Sequence, residues 1–529
     1  MGRTEERTRG RVGLDRIVIG GDRSIVGGGG WLLLLALCAA SKLAAQCPDG
    51  TPPPCVARPS RLAAAPPSNS VAVLYFTTRD TSDLYLAEGL TEDIATGLGR
   101  LAPRVEVKAP SSVRRAQREN AGNLRGIGRA LSVRYVVDGG LRRTPAGYRV
   151  SIRLVNTQTE LTAWGETYDQ SSAGLLDLPP TVAQAVAMAV AGSLAPGERS
   201  SLAVRPTRDP EAWEHVLRGN FLLARRTQED AQRAIDEYQE AIRLDTSYVD
   251  AYGALGSAYA LAHDWSWHFG SISQESLLAR AGWATDRALA LDSGSALAWS
   301  AAAQTRFERD PLTQAGVVPA FRRAIALDPK RAEPFHQLGI TLLLQGDDSG
   351  AASSLHQALA LDPERPITLT WLGNAAFHRR RHAEARAWLD SAIAISPAFP
   401  YALRLRAVIR TLQGDTAGGL RDAQEAVRLS RGDSLLATAA LAWVEAATHD
   451  TAGARRHARV VTEAPGSVLD EATAWAAAAL VALGDHEAAL AALARCPLNG
   501  FLRFYLGFEV FDPVRSEPRF RRLQASLGG

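Results

Sequence analysis

The side chains able to do chemistry in this 529-residue chain sit in three places, and none forms a complete centre. His263 and His268 lie five apart beside Asp264, and His378 and His382 lie four apart, spacings that let two imidazoles reach one metal ion. Neither pair has a third and fourth ligand at a suitable spacing, so His263 and His268 read as loop and interface residues. The second pair brackets Arg379-Arg380-Arg381, whose charge opposes a bound cation. That basic cluster reads as a solvated edge, with contact to an anionic partner as the alternative. Glu92, Asp93 and Asp138 could serve an enzyme as acid or base, yet capping a helix or ending a strand explains them more simply. A Gly-x-x-x-x-Gly-Lys-Ser/Thr phosphate loop is absent, as is a Gly-x-Ser-x-Gly elbow. Gly27 to Gly30 precede no strand–helix unit and read as a flexible stretch. The expectation is a chain without catalytic residues, cofactor or metal, whose work is binding.

Charge does not point to nucleic acid. Lys and Arg number 59 against 56 Asp and Glu, a net +3, and lysine occurs only at 42, 108 and 330. The arginine preference suits a GC-rich coding bias as well as any function. With 46% apolar residues the chain can bury two or three folded regions.

A repeat must position the remaining candidates. From Ala324 to Ala358, Ala358 to Ala392 and Ala392 to Ala426 the step is 34 residues each time, within phrases such as Arg323-Ala324-Ile325-Ala326-Leu327-Asp328-Pro329. A fixed period of this size marks units that bury their apolar faces by stacking. In one unit Phe335, Leu338, Gly339 and Leu342 share a helix face, Gly346-Asp347-Asp348 break it, and Ala351, Leu355 and Ala358 share a second face that Pro363 ends. The small residues let two antiparallel helices approach closely.

This 34-residue helix–turn–helix resembles the tetratricopeptide repeat, most cleanly at Tyr252-Gly253-Ala254-Leu255-Gly256-Ser257-Ala258-Tyr259. The resemblance covers residues 207–497 and implies an all-α tetratricopeptide superhelical solenoid, with residues 498–529 as a helical cap on its open end. One step, Ala241 to Ala288, is 47 residues, and the surplus surrounds the aromatic stretch at 263–269, a place for a partner-specific role. The resemblance further implies a concave groove lined by first helices, which would hold a protein or peptide partner. Matched by position, the groove residues are Asp250, Ser257, Glu333, His336, Thr370, Asn374, His378, Tyr401 and Arg404. Their mixed charge leaves the ligand class open, and plain solvated surface is the alternative.

Residues 70–195 follow other rules. Val71 to Phe76 and Val105 to Val107 read as short strands, Leu84 to Leu101 as a helix, and Ser111 to Glu119 and Leu124 to Leu131 as two more. A meander follows over Arg134 to Leu141, Tyr148 to Asn156 and Leu161 to Asp169, then a helix over Val182 to Leu194. Alternation puts Val150, Ile152 and Leu154 on one face, opposite Arg149, Ser151 and Arg153. The expected fold is α+β, with helices on a mixed sheet. Ser70 to Phe76, Tyr85-Leu86-Ala87-Glu88-Gly89-Leu90-Thr91-Glu92-Asp93-Ile94, Val136 to Arg143 and Trp164 to Asp169 resemble the TolB-like amino-terminal domain, a relative of the FlgO fold. That resemblance implies a domain that precedes tetratricopeptide arrays in bacterial signalling proteins, often behind a kinase, cyclase or DNA-binding effector. About 70 residues stand ahead of it, fewer than a typical effector domain.

Those leading residues carry Arg3, Arg7, Arg9, Arg11, Arg16 and Arg23, the apolar run Trp31 to Ala40, then Ala44-Ala45. This is the order of a secretory signal peptide over 1–45. An uncleaved inner-membrane anchor at residues 31–40 is the competing expectation, although the run is shorter than the about 20 residues a span needs. Gln46 before Cys47 counts against a lipoprotein. Cys47 and Cys55 flank a turn-rich stretch in the Pro-rich linker at 46–69. They either close a small disulfide loop in an oxidising compartment or remain free thiols. Cys496 reads as a lone buried thiol. The whole reads as an exported, periplasmic or cell-envelope scaffold for protein partners, without nucleic-acid binding. The alternative is the regulatory or sensor portion of a signalling system lacking its effector.

Overall fold

The computed structural model describes residues 65–528 apart from 266, 268, 311, 313, 431–434 and 465–469. The leader at 1–45 with its run at 31–40, Cys47, Cys55, most of the 46–69 linker and His268 lie outside the described residues.

The first part is a mixed six-stranded sheet with helices on both faces. Its strands are β1 (Ser70–Val73), β2 (Thr77–Thr78), β3 (Glu106–Val107), β4 (Tyr135–Thr144), β5 (Gly147–Asn156) and β6 (Thr162–Gln170). They run in the order β3-β1-β4-β5-β6, with β2 also pairing β4. The β1–β3, β1–β4 and β2–β4 ladders are parallel, and β4-β5-β6 form an antiparallel meander. Alternation sends Val71, Val73, Val137, Val150, Ile152 and Leu154 to one face, against Leu86, Leu90 and Ile94 of α1 (Leu84–Gly99) and Val182 and Val186 of α4 (Leu178–Ala191). Ala72, Leu74, Val136 and Val155 face the other way, onto α2 (Pro110–Glu119) and α3 (Leu124–Leu131). Ala173–Ala191 is apolar enough over 19 residues to cross a membrane by length and composition, but here Leu175, Leu178, Val182 and Val186 belong to this core.

After α5 (Pro196–Leu202) come eight antiparallel helix pairs among the described residues. They are α6 (Pro210–Leu223) with α7 (Gln228–Leu244), α8 (Val249–Asp264) with α9 (Gln274–Leu291), α10 (Ala296–Arg309) with α11 (Val317–Leu327), and α12 (Ala332–Leu344) with α13 (Asp348–Leu361). The series continues with α14 (Pro366–His378) and α15 (His382–Ile395), α16 (Pro400–Leu412) and α17 (Thr416–Leu429), α18 (Leu435–Ala447) and α19 (Thr451–Thr462), and α20 (Asp470–Ala482) and α21 (His486–Leu493). Close approach within a pair depends on small residues. A Cβ on Gly339 would sit 2.7 Å from Leu355 Cγ, and Ala351, Ala358, Ala385 and Ala392 are wholly buried. Three turns between paired helices use Gly-Asp. Gly346, Gly414 and Gly484 take positive φ, and Asp347, Asp415 and Asp485 then accept a backbone N–H of the second helix.

The sheet domain docks on the array at three points. Trp213 and Leu217 of α6 join its core, and Trp213 Nε1 donates to Asp93 at 2.9 Å. Lys330 Nζ donates to Gly99 O at 3.4 Å from the α11–α12 turn. Glu364, in the α13–α14 turn, accepts from Arg118 at 2.8 Å. The Asp-Pro corners that mark the repeat in sequence are thus also where the sheet domain rests.

Candidate functional site on the inner face of the array

First helices of successive pairs pack on one another, α8 on α10, α16 on α18 and α18 on α20, and so form an inner row. The carboxy-terminal residues lie along this row. Asn499 starts α22 (Gly500–Leu506) by accepting from Leu502 N at 2.8 Å, and a 3-10 turn over Glu509–Val514 follows. Both pack on α20, and α22 also packs on α12. The expected cap on the open end corresponds only to α23 (Pro518–Ser526), where Arg519 meets Glu487 of α21 at 2.6 Å. The physical reason is apolar bulk: Phe501, Phe504 and Tyr505 recur at helical spacing on α22, Phe508 follows it, and the series requires an apolar bed longer than the end of a stack.

That bed is aromatic. Phe504 lies 4.8 Å from His378 with the rings nearly parallel, and Trp371 is 6.2 Å from Phe501 and 6.1 Å from Phe504. Phe508 is 4.7 Å from Phe377 and 5.7 Å from Trp475. Phe504, Tyr505, Phe508 and Phe511 are each buried. Beneath them is a polar knot. Arg404, only 3% exposed, pairs with Glu471 and lies 4.0 Å over the Tyr401 ring. Tyr401 faces Asn374 and Tyr505, and burial followed by the Glu471 charge pushes both tyrosine hydroxyls far up, so they stay neutral.

Charged residues fasten the rim. Arg380 donates to both oxygens of Asp512, at 2.8 and 2.7 Å, and His382 meets Glu509. Arg503 donates to Leu344 O at 2.7 Å. The basic cluster therefore meets carboxylates of its own chain.

The other expected groove residues spread along the array. Asp250 sits beside the sheet domain, where burial raises its carboxyl against the pull of Arg331 and Arg100. Ser257 is half-buried and donates to Gly253 O at 3.0 Å. Glu333 pairs with Arg365, whose own pKa burial and nearby Arg226 lower to about 9. His336 is buried, 3.0 Å from Thr368 Oγ1, and burial with Arg226 lowers it to about 3. Thr370 is buried and donates to Pro366 O at 2.9 Å. So the structure gathers Asn374, His378, Tyr401 and Arg404 around α22 and leaves Ser257 and His336 on separate helices. Sequence reasoning missed Trp371, Glu471, Trp475 and the aromatic series from Phe501 to Phe508. The series carried the one usable signal, its helical spacing.

The would-be chemical sets have structural partners. His263 meets Glu308 at 3.1 Å, while Trp265, 46% exposed, packs 5.3 Å from Trp267. Asp138 takes Arg153 across the meander at 2.6 Å. Glu92, raised by burial, accepts from Tyr75 at 3.4 Å. Among the described residues no group of three or more His, Cys, Asp or Glu could hold a metal ion.

Against known proteins, the chain is 26% identical over 204 residues to "Putative adenylate cyclase 3" of Rhizobium meliloti (strain 1021). The match takes 37% of this chain and spans 34% of that protein, about a third of its length. Among solved structures, PilF of Pseudomonas aeruginosa overlaps 42% of this chain and 94% of its own, at 20% identity and a TM-score of 0.33. Yeast Tom70 overlaps 59% of this chain and 67% of its own, at 15% identity and a TM-score of 0.36. Within the helix pairs, residues 336–402 match the tetratricopeptide repeat family.

Proposed function

We propose that this chain is a non-catalytic scaffold of the bacterial cell envelope that binds protein or peptide partners along the inner face of a tetratricopeptide solenoid. A TolB-like domain over residues 70–195 braces the solenoid, which spans 207–497, behind an exported leader. One observation carries the reading: the inner row already receives a helix with an aromatic face, that of the chain itself, so its chemistry is that of helix recognition. The nine groove residues, Asp250 to Arg404, are proposed as the two halves of that face. The early half, around Ser257 and exposed Asp264, is the part offered to partners. Photo-crosslinking groups at 257 and 264 should capture envelope proteins, and one at exposed Asp286 on α9 should not. Capture from 286 alone would sink the reading.

The second reading is a regulatory portion of a signalling system. The named cyclase relative favours it. The mature amino terminus separates the two: cleavage near Ala45 supports export, and an intact leader in the membrane supports the regulator.

A further inference from the structure

We infer that the late half of the inner face, built by α12, α14, α16 and α20, is a helix-recognition groove that residues 500–514 hold in a self-occupied state. Its outside partner is a short helix with aromatic residues at i, i+3 and i+4, then an extended break, a fourth aromatic residue and two carboxylates. The inference rests on the inner-face reading above and adds the partner's chemistry and its regulation.

Three observations carry it. The occupant begins as the short helix α22, which presents Phe501 and Phe504 to Trp371 and His378 and sets Tyr505 beside Tyr401. It turns at extended Phe508, which meets Phe377 and Trp475, and its first part is helix-in-groove recognition in cis. Its charge is matched at the rim, where Glu509 and Asp512 follow the aromatic face and meet His382 and Arg380. The third is a departure from the repeat's own rules. The α14–α15 turn has Arg380-Arg381 where the α12–α13, α16–α17 and α20–α21 turns have Gly-Asp. Arg380 takes positive φ, as Arg226 and His449 do at the α6–α7 and α18–α19 turns, but Arg381 makes no side-chain cap where Thr227 and Asp450 do. The turn gives up a cap, and what it has in exchange is the hold on Asp512.

The bed also keeps polar atoms that the occupant leaves unmatched: Arg404 Nε and Trp475 Nε1 are buried without a hydrogen bond. In a permanent core most buried polar atoms are paired. The rim pair Arg380–Asp512 is 54% and 40% exposed, so the fastening weakens with salt and yields to competition. Tethering raises the local concentration of the occupant, so an outside helix meets a groove already taken, and its apparent affinity falls by the open fraction.

The test uses the full chain and a fluorescent peptide of residues 499–517 as probe. A double variant with Phe508→Ala and Asp512→Arg should bind the probe at least tenfold tighter than the native chain, and adding Arg380→Glu should remove most of that gain. No gain in a double variant that melts cooperatively overturns the inference. Should the double variant fail to fold, hydrogen exchange on the native chain decides. Amides of 500–514 should exchange at least tenfold faster than those of α18, and equal rates would make the segment permanent core. Either failure leaves crosslinking at 257 and 264 unaffected, so the two readings fail separately.

Discussion

The imidazole of His378 and the ring of Phe504 stack at 4.8 Å with an interplanar angle of 17°, joining the last residue of α14 to a segment 126 positions further on. Burial, with the charges of Arg379 and Arg515, holds the imidazole below its ordinary pKa, although Asp348 opposes this. Phe504→Ala opens that cover. Losing a buried phenylalanine costs about 3–5 kcal/mol. The His378 pKa should rise toward its ordinary 6.5 as water reaches the ring. Urea unfolding reads the first effect and an NMR titration of the imidazole the second. A destabilised variant with His378 still depressed would mean that other walls bury it.

Periodicity made the helix pairs legible, because Ala351, Ala358, Ala385 and Ala392 must be small wherever two helices touch. Alternation likewise placed Val150, Ile152 and Leu154 on the face the structure buries. The occupied groove was not legible. It depends on contacts such as Arg380 with Asp512, 132 residues apart, which no local period encodes. The groove list, matched by position, contains Tyr401 and Arg404, which lie beside Tyr505. It missed Glu471, because the charge that balances Arg404 sits on a different pair, 67 residues away. Docking of the sheet domain was hidden for the same reason, with Arg118 and Glu364 separated by 246 residues.

His336 makes the array sensitive to acid. Burial, then Arg226, lowers its folded pKa to about 3 from an ordinary 6.5. A depressed pKa contributes stability that is full above 6.5 and is lost as pH falls toward 3, at about 1.4 kcal/mol per pH unit. His336→Gln keeps a polar partner for Thr368 and has no proton to gain. Its unfolding free energy should therefore fall less steeply than the native chain's between pH 6.5 and 4. Parallel curves would assign the acid sensitivity to other groups.

Asp93 works in the opposite direction. Burial lifts its carboxyl to about 7, with Asp250 and Glu92 adding to the rise and the Trp213 hydrogen bond opposing it. A raised pKa contributes stability below the ordinary 3.8 that is lost as pH climbs through 7. Asp93→Asn can still accept from Trp213 Nε1 and carries no charge. It should stabilise the chain by about 1–2 kcal/mol at pH 8 and by almost nothing at pH 4. Denaturant midpoints at the two pH values check this, and a loss of stability at pH 8 would show that the carboxylate's charge is needed there.

The junction between the sheet domain and α6 has an apolar part and a charged part, and their magnitudes differ. A Cβ on Gly89 would lie 2.5 Å from Leu217 Cδ1 and 3.0 Å from its Cγ, and Leu217 is only 6% exposed, so it has little room to retreat. Gly89→Val therefore overpacks the contact by about 1–3 kcal/mol, and the better helix propensity of valine offsets only a few tenths of that, at about 0.3 kcal/mol. Glu364→Ala removes carboxylate contacts to Arg115 and Arg118, which are 41% and 61% exposed, and pairs of that kind are worth under about 1 kcal/mol. Limited proteolysis at the connection 203–206 reads the junction, because Arg100 Nη1 donates to Ser201 O at 3.3 Å and Val204 O at 3.4 Å and restrains the connection while the domain is seated. Cleavage should speed several-fold in Gly89→Val and change little in Glu364→Ala. The reverse ranking would mean that charge at the Asp-Pro corners, and not the close approach at Gly89, holds the domain down.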